Sequence, residues 1–425
     1  MGIGDKPKFD IYIILIYLAL IMIGWLTIYS AAQVPLYNGF LDMDQLYGKQ
    51  ILWIGLAFLI ISFILAMDVK FFERFGSIIY IISLLSLLGL FVFGKELNGA
   101  KSWYSLGSMT LQPSEFAKAA TALAVAKFLS GINISLKNTK DLLIVGLIIA
   151  LPALFIIPQP DPGSALVYGA FFFALHREGL SLWYLSLVLV AIGLFLGTLV
   201  LGTWWIALII LLAMTIIYLL SRKRRHKARL PKPRIVLFLI ISGVCVLYSL
   251  STNYIFNNLL EDRHRNRIDI VLGRVEDNQG VGYNINQSVI AVGSGGFVGK
   301  GLLGGTQTQG GFVPEQETDF IFSAIGEEWG FVGASLVIIL FMSLCYRLII
   351  MAERQKNQFA RIYGYSVAGI FFIHFFVNIG MVLGLLPTVG IPLPFMSYGG
   401  SGLWGFTILL FIFVKLDGHR MSYEH

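Results

Sequence analysis

The sequence predicts an all-α polytopic membrane protein with about twelve transmembrane helices. Two observations support this prediction. The composition is 57% hydrophobic and 13% charged, whereas soluble domains carry about 25% charged residues. Apolar runs close to the roughly 20 residues that cross a bilayer also recur along the whole chain. We therefore expect residues 1–425 to form a single integral membrane domain.

Twelve apolar runs account for the predicted helices. Most have the length of a membrane span, but the sixth is short and is interrupted at Gly169, which predicts a tilted or broken helix. Cys245 and Cys345 lie inside such runs, so we interpret both as small apolar core residues rather than as disulfide or metal ligands. The runs are 11–31, 50–67, 76–94, 113–130, 141–158, 163–176, 180–200, 203–220, 235–255, 320–350, 361–385 and 398–416.

Lysines and arginines predict how these helices are oriented. The turn at 221–234 holds eight Lys and Arg residues and no acid, and further basic turns lie at 137–140, at Arg177 and at 354–361. Cytoplasmic loops are enriched in Lys and Arg. Twelve helices with a cytoplasmic N-terminus place all these turns, and the C-terminus, in the cytoplasm. Membrane orientation accounts for the basic turns, so we expect no nucleic-acid partner.

The longest segment outside the predicted helices is a glycine-rich loop at about 256–318, which the same count places on the outer side of the membrane. Eleven glycines lie between 280 and 311. A phosphate-binding loop around Lys300 is excluded, because Ser294 and Gly301 occupy positions where that motif needs Gly and Ser or Thr. Two interpretations stay open: a close-packed or re-entrant loop in which glycine permits close backbone approach, or backbone N–H groups that bind an anion such as pyrophosphate.

Glu115 and Lys118 are the first candidate site residues. Pro113 is well placed as the first residue of a helix and Glu115 as the third. Taken alone, Glu115 is explained as a carboxylate that interacts favourably with the positive N-terminal end of the helix dipole. Lys118 lies on the same helix face, about 9 Å into the span. A charged pair that faced lipid would be costly, so we expect it to face the protein interior and favour a functional role over a purely structural one.

Asp161 lies in the stretch Gln159-Pro160-Asp161-Pro162-Gly163, at an outer junction between two apolar runs. Asp-Pro-Gly is a strong turn signal. We therefore favour an architectural role, in which Asp161 and Gln159 shape one wall of a site.

Asp319 is the strongest candidate. It ends the outer loop and directly precedes the apolar run Phe320-Ile321-Phe322. A helix cap is the simpler interpretation, but Glu315 and Glu317 lie close in sequence, and neighbouring like charges raise the pKa of a carboxyl group. Such a carboxylate, partly dry and facing outward, is suited to act as a general base on a sugar hydroxyl.

Polar and helix-breaking residues continue beyond Asp319. Glu327 and Glu328 lie about two turns into the following run and are interpreted as paired structural charges, with a proton path as the alternative. Asn378, three prolines between 387 and 394, and the glycine-rich stretch 397–402 interrupt the last two runs. Irregular backbone at membrane depth is tolerated only where it is buried in protein or lines a cavity. We therefore expect these elements and the three acidic stretches to converge on one outward-facing cavity.

Together these stretches resemble the SEDS family (shape, elongation, division and sporulation proteins). The resemblance runs from about Asn98 to Gly405, and so many motifs in the same order make it specific. Thr306-Gln307-Thr308-Gln309 and Thr388-Val389-Gly390 favour the branch that acts in cell elongation over the branch that acts in division. Further motifs are Gln112-Pro113-Ser114-Glu115, Gln159-Pro160-Asp161, Gly282-Tyr283-Asn284, Gly293-Ser294-Gly295-Gly296, Thr318-Asp319-Phe320-Ile321-Phe322, Gly326-Glu327-Glu328, Asn378-Ile379-Gly380-Met381 and Ser397-Tyr398-Gly399-Gly400-Ser401.

The resemblance implies a peptidoglycan glycosyltransferase of the bacterial cytoplasmic (inner) membrane, which polymerises lipid II into β-1,4 glycan strands on the outer face. The family's catalytic acid corresponds to Asp319, and its cavity Glu and Lys correspond to Glu115 and Lys118. A class B penicillin-binding protein is the implied transpeptidase partner, together with other membrane proteins of the elongation complex. Because the family has about ten spans, our count of twelve indicates a family core of ten plus an extra hairpin at about 180–220.

The implied mechanism gives the remaining predictions. Asp319 deprotonates the acceptor 4-hydroxyl, and the leaving pyrophosphate needs positive charge. Lys118, Arg267, loop N–H groups and a divalent cation (Mg²⁺ or Mn²⁺) are open alternatives for that charge; no cofactor is certain, and metal ligands are unknown. The competing function is a flippase or transporter of the lipid-linked precursor, because broken helices are also typical of secondary transporters. The predicted substrate-binding residues are Glu115, Lys118, Arg267, Gln287, Lys300, Glu315, Thr318 and Ser397.

Overall fold

The computed structural model describes residues 9–32, 42–97, 99–107, 109–227, 235–258, 262–274 and 280–420. The described chain is mainly helical, so the predicted all-α class is confirmed. Internal contacts divide it into two compact units, one formed by Met1–Leu180 with Asn278–His425 and the other by Ser181–Asp277. The prediction of a single domain over 1–425 stays a prediction.

The first unit opens with five helices. Apolar composition drives each into a helix, and polar residues mark several starts: the Asp68 side chain accepts from the Lys70 N–H, and Asn138 caps the fifth helix in the same way. In the fourth helix nearly every residue is buried, because its alanines allow neighbouring helices to approach closely. The five helices are α1 (Ile11–Ala31), α2 (Leu46–Ala66), α3 (Val69–Phe93), α4 (Pro113–Leu129) and α5 (Thr139–Ile156).

A small antiparallel sheet lies between α3 and α4, where the sequence predicted only a connection. Its strands are β1 (Lys95–Leu97), β2 (Ala100–Leu106) and β3 (Met109–Leu111). Leu97 pairs with Ala100, so two residues connect β1 to β2. The sequence there is Asn-Gly, the strongest short-range signal for a hairpin. Strands of three to seven residues are too short for a clear alternating pattern to predict them.

The predicted sixth span is broken, as its sequence indicated. It consists of α6 (Pro162–Leu166), a 3₁₀ turn at Val167–Ala170 and α7 (Phe171–Arg177). Asp161 caps α6, since its carboxylate accepts from the Ser164 N–H at 3.0 Å.

The rest of the first unit contains α12 (Val281–Ser294), α13 (Thr306–Gln309), α14 (Ile321–Glu353), α15 (Gln358–Val382) and α16 (Gly400–Gly418). Thus much of the predicted glycine-rich loop at 256–318 is helical. In α12 the buried residues Ile285, Ser288 and Ala291 recur every three positions, a helical period that the glycines obscured.

Helix α14 is interrupted at Gly330, whose φ of 63° and ψ of −159° are not helical. The segment 295–301 packs against this interruption. A Cβ on Gly299 would lie 2.2 Å from the Glu328 carbonyl oxygen, and one on Gly295 would lie 2.0 Å from that of Gly326. The Gly301 N–H donates to the Glu328 carbonyl at 2.9 Å. These contacts agree with the close-packed interpretation of the loop, in which glycine permits backbone approach.

Helix α1 is bound to the end of the chain. Asp10, just before α1, forms an ion pair with Arg347 of α14 at 2.7 Å. The Tyr17 hydroxyl lies 3.0 Å from the Thr407 hydroxyl of α16. Burial acts to raise the pKa of Asp10, but the hydrogen bond and charge of Arg347 outweigh burial and hold this pKa below its usual value. The first span therefore packs against two of the last three.

The second unit contains α8 (Trp183–Leu201), α9 (Thr203–Lys227), α10 (Ile235–Asn258) and α11 (Asp262–Val271). Gly202 alone connects α8 to α9, with a φ of 87° that favours glycine. Most large apolar side chains of α8, α9 and α10 are exposed, as expected for helices that meet lipid. The basic segment 221–234 belongs to α9 up to Lys227, and 228–234 lies outside the described residues.

Ten helices of the described chain are long and apolar enough to cross a membrane. They match ten of the twelve predicted runs. The other two runs correspond to α4, which has 17 residues, and to the broken segment 162–177. The polytopic architecture is confirmed, whereas the count of twelve spans, the extra hairpin and the orientation stay predictions.

Candidate functional site

The Glu115–Lys118 pair lies inside the protein. Pro113 is the first residue of α4, so Glu115 falls in the first turn and Lys118 one turn later. The Lys118 ammonium lies 2.8 Å from the Glu115 carboxylate, and the two side chains are 2% and 3% exposed. This is the buried i, i+3 contact that the spacing predicted. Whether substrate meets either group stays a prediction.

His374, on α15, also contacts Lys118 and was not among the predicted site residues. Its Nε2 lies 2.9 Å from the Lys118 ammonium, and its Nδ1 lies 3.2 Å from the Pro392 carbonyl oxygen. The Lys118 ammonium also lies 4.7 Å from the centre of the Phe406 ring. An ionisable residue in the middle of an apolar run is the sequence signal that could have indicated His374.

The contacts of Asp161 agree with the architectural role that we favour. Its carboxylate accepts from the Ser164 hydroxyl at 2.7 Å and from the Gln112 side-chain amide at 3.0 Å. Gln112 directly precedes α4, so Asp161 ties the start of α6 to the start of α4. Gly163 packs against the segment after α15, since a Cβ there would lie 2.2 Å from the Val389 carbonyl oxygen.

The stretch before Asp319 is a tight turn built around Glu315. Thr318 donates from its hydroxyl to the Glu315 carboxylate at 2.9 Å, and its N–H donates to the Glu315 carbonyl at 3.1 Å. Glu315 has a φ of 55°, which non-glycine residues rarely adopt. Two predicted substrate-binding residues, Glu315 and Thr318, are therefore in contact with each other.

Asp319 is half-buried and lies one residue before the N-cap of α14, which is Phe320. Phe320 rather than Asp319 therefore occupies the N-cap position. The Asn378 side-chain amide donates to the Asp319 carbonyl at 2.8 Å and to the Ile391 carbonyl at 2.7 Å. A Cβ on Gly390 would lie 3.5 Å from the Asp319 carboxylate. The carboxylate is thus held beside a glycine of the segment that follows α15.

Ser397 fixes the same turn from the other side. Its hydroxyl donates to the Thr318 carbonyl at 2.6 Å and accepts from the Leu393 N–H at 2.8 Å. The Tyr398 N–H donates to the Glu317 carbonyl at 2.7 Å. Ser397 was predicted to bind substrate. Its hydroxyl makes two bonds within the protein, so its substrate contact stays a prediction.

Burial raises the pKa of Glu317, and the neighbouring charge of Glu315 raises this pKa further. Burial is therefore the main cause of the raised Glu317 pKa, and the charge of Glu315 adds to it. The raised pKa that we predicted for Asp319 itself stays a prediction.

Lys300 lies in a second cluster, centred on Glu327. Its ammonium lies 2.7 Å from the Glu327 carboxylate, which also accepts from the backbone N–H groups of Gln307 and Thr308 at 2.8 and 2.9 Å. The anion bound by these two loop N–H groups is therefore a carboxylate of the chain itself. Glu328, the next residue, accepts a hydrogen bond from the Ser30 hydroxyl of α1. The substrate contact predicted for Lys300 stays a prediction.

Gln287 and Arg267 are the remaining predicted residues. Gln287 is on α12, beside Ser288, whose hydroxyl donates to the Val382 carbonyl at 2.9 Å. Arg267 is on α11, in the second unit. Within the described ranges, no three His, Cys, Asp or Glu residues are grouped as a metal site would require. The question of a divalent cation stays open.

The three acidic stretches are nevertheless each linked to the segment 389–397, while their convergence on one outward-facing cavity stays a prediction. Gly163 approaches Val389, Asn378 joins Asp319 to Ile391, and Lys118 reaches Pro392 through His374. All these residues belong to the first unit.

Comparison with known proteins shows which family the chain belongs to. The sequence profile of the FtsW, RodA and SpoVE family, described as "Cell cycle protein", matches residues 11–230 and 209–422. The chain belongs to this family. The SEDS membership predicted from its motifs is thereby confirmed.

Curated relatives of this SEDS protein cover nearly its whole length. The peptidoglycan glycosyltransferase MrdB of Escherichia coli (strain K12) is 33% identical over 98% of this chain and 95% of the relative. The peptidoglycan glycosyltransferase RodA of Treponema pallidum (strain Nichols) is 31% identical over 99% of this chain and 100% of its own. A probable peptidoglycan glycosyltransferase FtsW of Enterococcus hirae is 30% identical over 93% of this chain and 88% of the relative.

Two solved structures have the same fold. One comes from a peptidoglycan synthase complex that coordinates polymerisation and crosslinking; it has a TM-score of 0.72 and 25% identity, over 98% of this chain and 99% of the other. The other is the rod shape determining protein RodA of Thermus thermophilus, with a TM-score of 0.61 and 24% identity, over 97% of this chain and 98% of the other. The fold is therefore that of the SEDS family.

Proposed function

We propose that this protein is a peptidoglycan glycosyltransferase that polymerises lipid II into β-1,4 glycan strands during cell elongation, with Asp319 as general base. The names of its relatives support the reaction class, and those named RodA and MrdB support the elongation branch. The observation that carries the assignment of the base is the half-buried Asp319 carboxylate, positioned just before α14 and beside Gly390.

In the proposed reaction, Asp319 accepts the proton of the acceptor sugar's 4-hydroxyl. The hydroxyl oxygen attacks the anomeric carbon of the donor, and the bond from that carbon to the pyrophosphate oxygen breaks. General-base assistance of this kind contributes about 10²- to 10⁴-fold to rate. The fixed Asp319 backbone supports this role, because Asn378 holds its carbonyl oxygen and Ser397 holds that of Thr318.

The leaving pyrophosphate needs a positive neighbour. Lys118 already donates to Glu115 and lies against His374, and Lys300 already pairs with Glu327. A substrate anion would have to replace one of these partners. Arg267 and a divalent cation remain candidates as well.

We further propose that the protein lies in the bacterial inner membrane with both termini in the cytoplasm and Asp319 on the outer side. The basic turns support this orientation. Cysteine introduced at Lys227 should resist a membrane-impermeant thiol reagent, while cysteine at Ser105, exposed in β2, should react. Efficient labelling at 227 from outside would contradict the orientation.

A class B penicillin-binding protein is the proposed partner, with other membrane proteins of the elongation complex. Support comes from the solved relative, which belongs to a synthase complex that couples polymerisation to crosslinking. Copurification of the full-length chain with such a transpeptidase from membranes tests this proposal, and failure under conditions that retain both folded proteins would contradict it.

The decisive test of the activity uses the purified protein in detergent with lipid II. We expect glycan polymer from the wild type and almost none from Asp319→Asn, which keeps the shape of the side chain but cannot accept the proton. Folded wild-type protein that makes no polymer, yet moves lipid II across proteoliposomes, would support the flippase alternative instead. Full polymerisation by a folded Asp319→Asn variant would keep the reaction class and remove Asp319 from it.

A further inference from the structure

We propose that His374 is a positioning residue that couples the buried Glu115–Lys118 pair to the segment holding Asp319. This inference rests on the proposed function, because Asp319 is the group whose position it would control. His374 lies on α15 and is 1% exposed. It contacts Lys118 of α4 on one side and Pro392, in the segment after α15, on the other.

The two contacts of the imidazole ring define one protonation state. The Pro392 carbonyl is only an acceptor, so the Nδ1 atom, 3.2 Å away, must donate to it. In a neutral ring with its proton on Nδ1, the Nε2 atom is an acceptor. The Lys118 ammonium is only a donor and lies 2.9 Å from Nε2. Both contacts are hydrogen bonds only when the ring is neutral and carries its proton on Nδ1.

The three contacts given by the Lys118 ammonium all lie within the protein. An ammonium group has three N–H donors. Glu115 accepts at 2.8 Å, His374 accepts at 2.9 Å, and the Phe406 ring centre lies 4.7 Å away. The favourable contacts of the ammonium therefore lie within the protein. In this arrangement the charge of Lys118 acts on the site through His374.

From His374 the connection continues to Asp319. Asn378 lies four residues further along α15, on the same helix face. Its side-chain amide donates to Ile391, the neighbour of Pro392, and to the Asp319 carbonyl. One face of α15 thus holds the 391–392 backbone at two adjacent carbonyls and the Asp319 backbone at a third. Gly390, just before, lies beside the Asp319 carboxylate.

The test replaces His374 and measures both polymerisation and folding. His374→Phe keeps an aromatic ring but loses both hydrogen bonds. His374→Asn places a donor near the Nδ1 position, and His374→Gln places an acceptor near the Nε2 position. We expect His374→Phe to lower kcat by about 10- to 100-fold, since small misplacements of a catalytic group have effects of this size. The KM for lipid II should stay within about 2-fold.

Partial recovery of kcat by other His374 variants distinguishes a positioning role from a loss of folded protein. His374→Asn and His374→Gln should each regain part of the lost kcat. Phe376→Leu is the matched control, because Phe376 lies on the same helix and is 54% exposed; it should leave kcat unchanged. Wild-type kcat in folded His374→Phe would overturn the proposal. It would also be overturned if all three His374 variants lost kcat only in proportion to a loss of folded protein.

A double variant separates this inference from the proposed function. If His374 acts through Asp319, adding His374→Phe to Asp319→Asn should lower the residual rate no further. Multiplying effects would show that His374 acts independently, and would overturn the inference alone. Full activity of Asp319→Asn would instead overturn the assignment of the base. If His374→Phe does not fold, the same cycle is measured with His374→Asn.

Discussion

Two carboxylates near the starts of helices, Glu115 on α4 and Asp319 before α14, differ in how the protein holds them. Glu115 is 3% exposed and its carboxylate is bonded to Lys118. Asp319 is half-buried, and the Asn378 side-chain amide donates a hydrogen bond to its backbone carbonyl. In the first arrangement the carboxylate charge is neutralised by a partner inside the protein. The second fixes the position of a carboxylate while leaving part of it exposed, which suits chemistry on a substrate.

Lys118→Ala should give the largest effect and test the buried half of this comparison. It leaves the Glu115 charge without its partner, and breaking a buried pair in this way costs about 3–5 kcal/mol. We expect a large fall in Tm, or no accumulation in the membrane. Thermal unfolding in detergent, followed by tryptophan fluorescence, measures it.

The matched control for Lys118→Ala removes both charges. Glu115→Gln combined with Lys118→Met should recover most of the lost stability, because a neutral pair has no uncompensated charge. If Lys118→Ala unfolds at the wild-type Tm, the Glu115 carboxylate does not depend on Lys118 as a buried charged partner.

Asp319→Asn should show the reverse pattern, a large loss of rate with little loss of stability. Polymerisation should fall by about 10²-fold or more. The Tm should change by no more than a few degrees, as for most substitutions away from a buried network. Glu96→Gln, at an exposed carboxylate of β1, is the control for rate. An Asp319→Asn variant as unstable as Lys118→Ala would mean that Asp319 is a structural charge as well.

Ser397→Ala should have an intermediate effect, because Ser397 holds the turn just before Asp319. It leaves the partly buried Thr318 carbonyl without the Ser397 donor, and losing such a hydrogen bond costs about 1 kcal/mol. The rate should fall, but less than in Asp319→Asn, and Ser105→Ala on exposed β2 should change neither quantity. Unchanged Tm and rate in Ser397→Ala would show that this bond does not fix the turn.

Glu317→Gln should give the smallest effect, visible in its pH dependence. Burial, with the Glu315 charge, raises the pKa of Glu317 above its ordinary value of 4.5. The stability that Glu317 contributes is complete below pH 4.5 and is lost as pH rises through the raised pKa. The variant should match the wild type at pH 4 and exceed its Tm by roughly 1–3 °C at pH 7.5. A difference that does not vary with pH would contradict this assignment.

Much of this fold could be predicted because apolar runs and helix breakers act locally. The break within 162–177 and the start of α4 at Pro113 followed from single residues. The sheet at 95–111 did not, because its strands are only three to seven residues long and their pairing depends on a turn.

The site was predictable only in part, for a related reason. The contact between Glu115 and Lys118 depends on spacing within one helix, which a sequence displays. His374 lies 256 residues from Lys118 along the chain, and Glu327 lies 27 residues from Lys300. Spacing within a helix cannot indicate such partners. The sequence therefore predicts the partner of a buried charge where that partner is local, and misses it where the partner is distant.

The contacts of α1 have a consequence for the time course of synthesis. Asp10 is separated from its partner Arg347 by 337 residues. At about 5–20 residues per second, a ribosome needs roughly 15 to 70 seconds to make the intervening chain. During that interval the first helix is already made while its partners in α14 and α16 do not yet exist. We therefore expect nascent α1 to be shielded by an insertion factor or a neighbouring early helix until the last helices arrive.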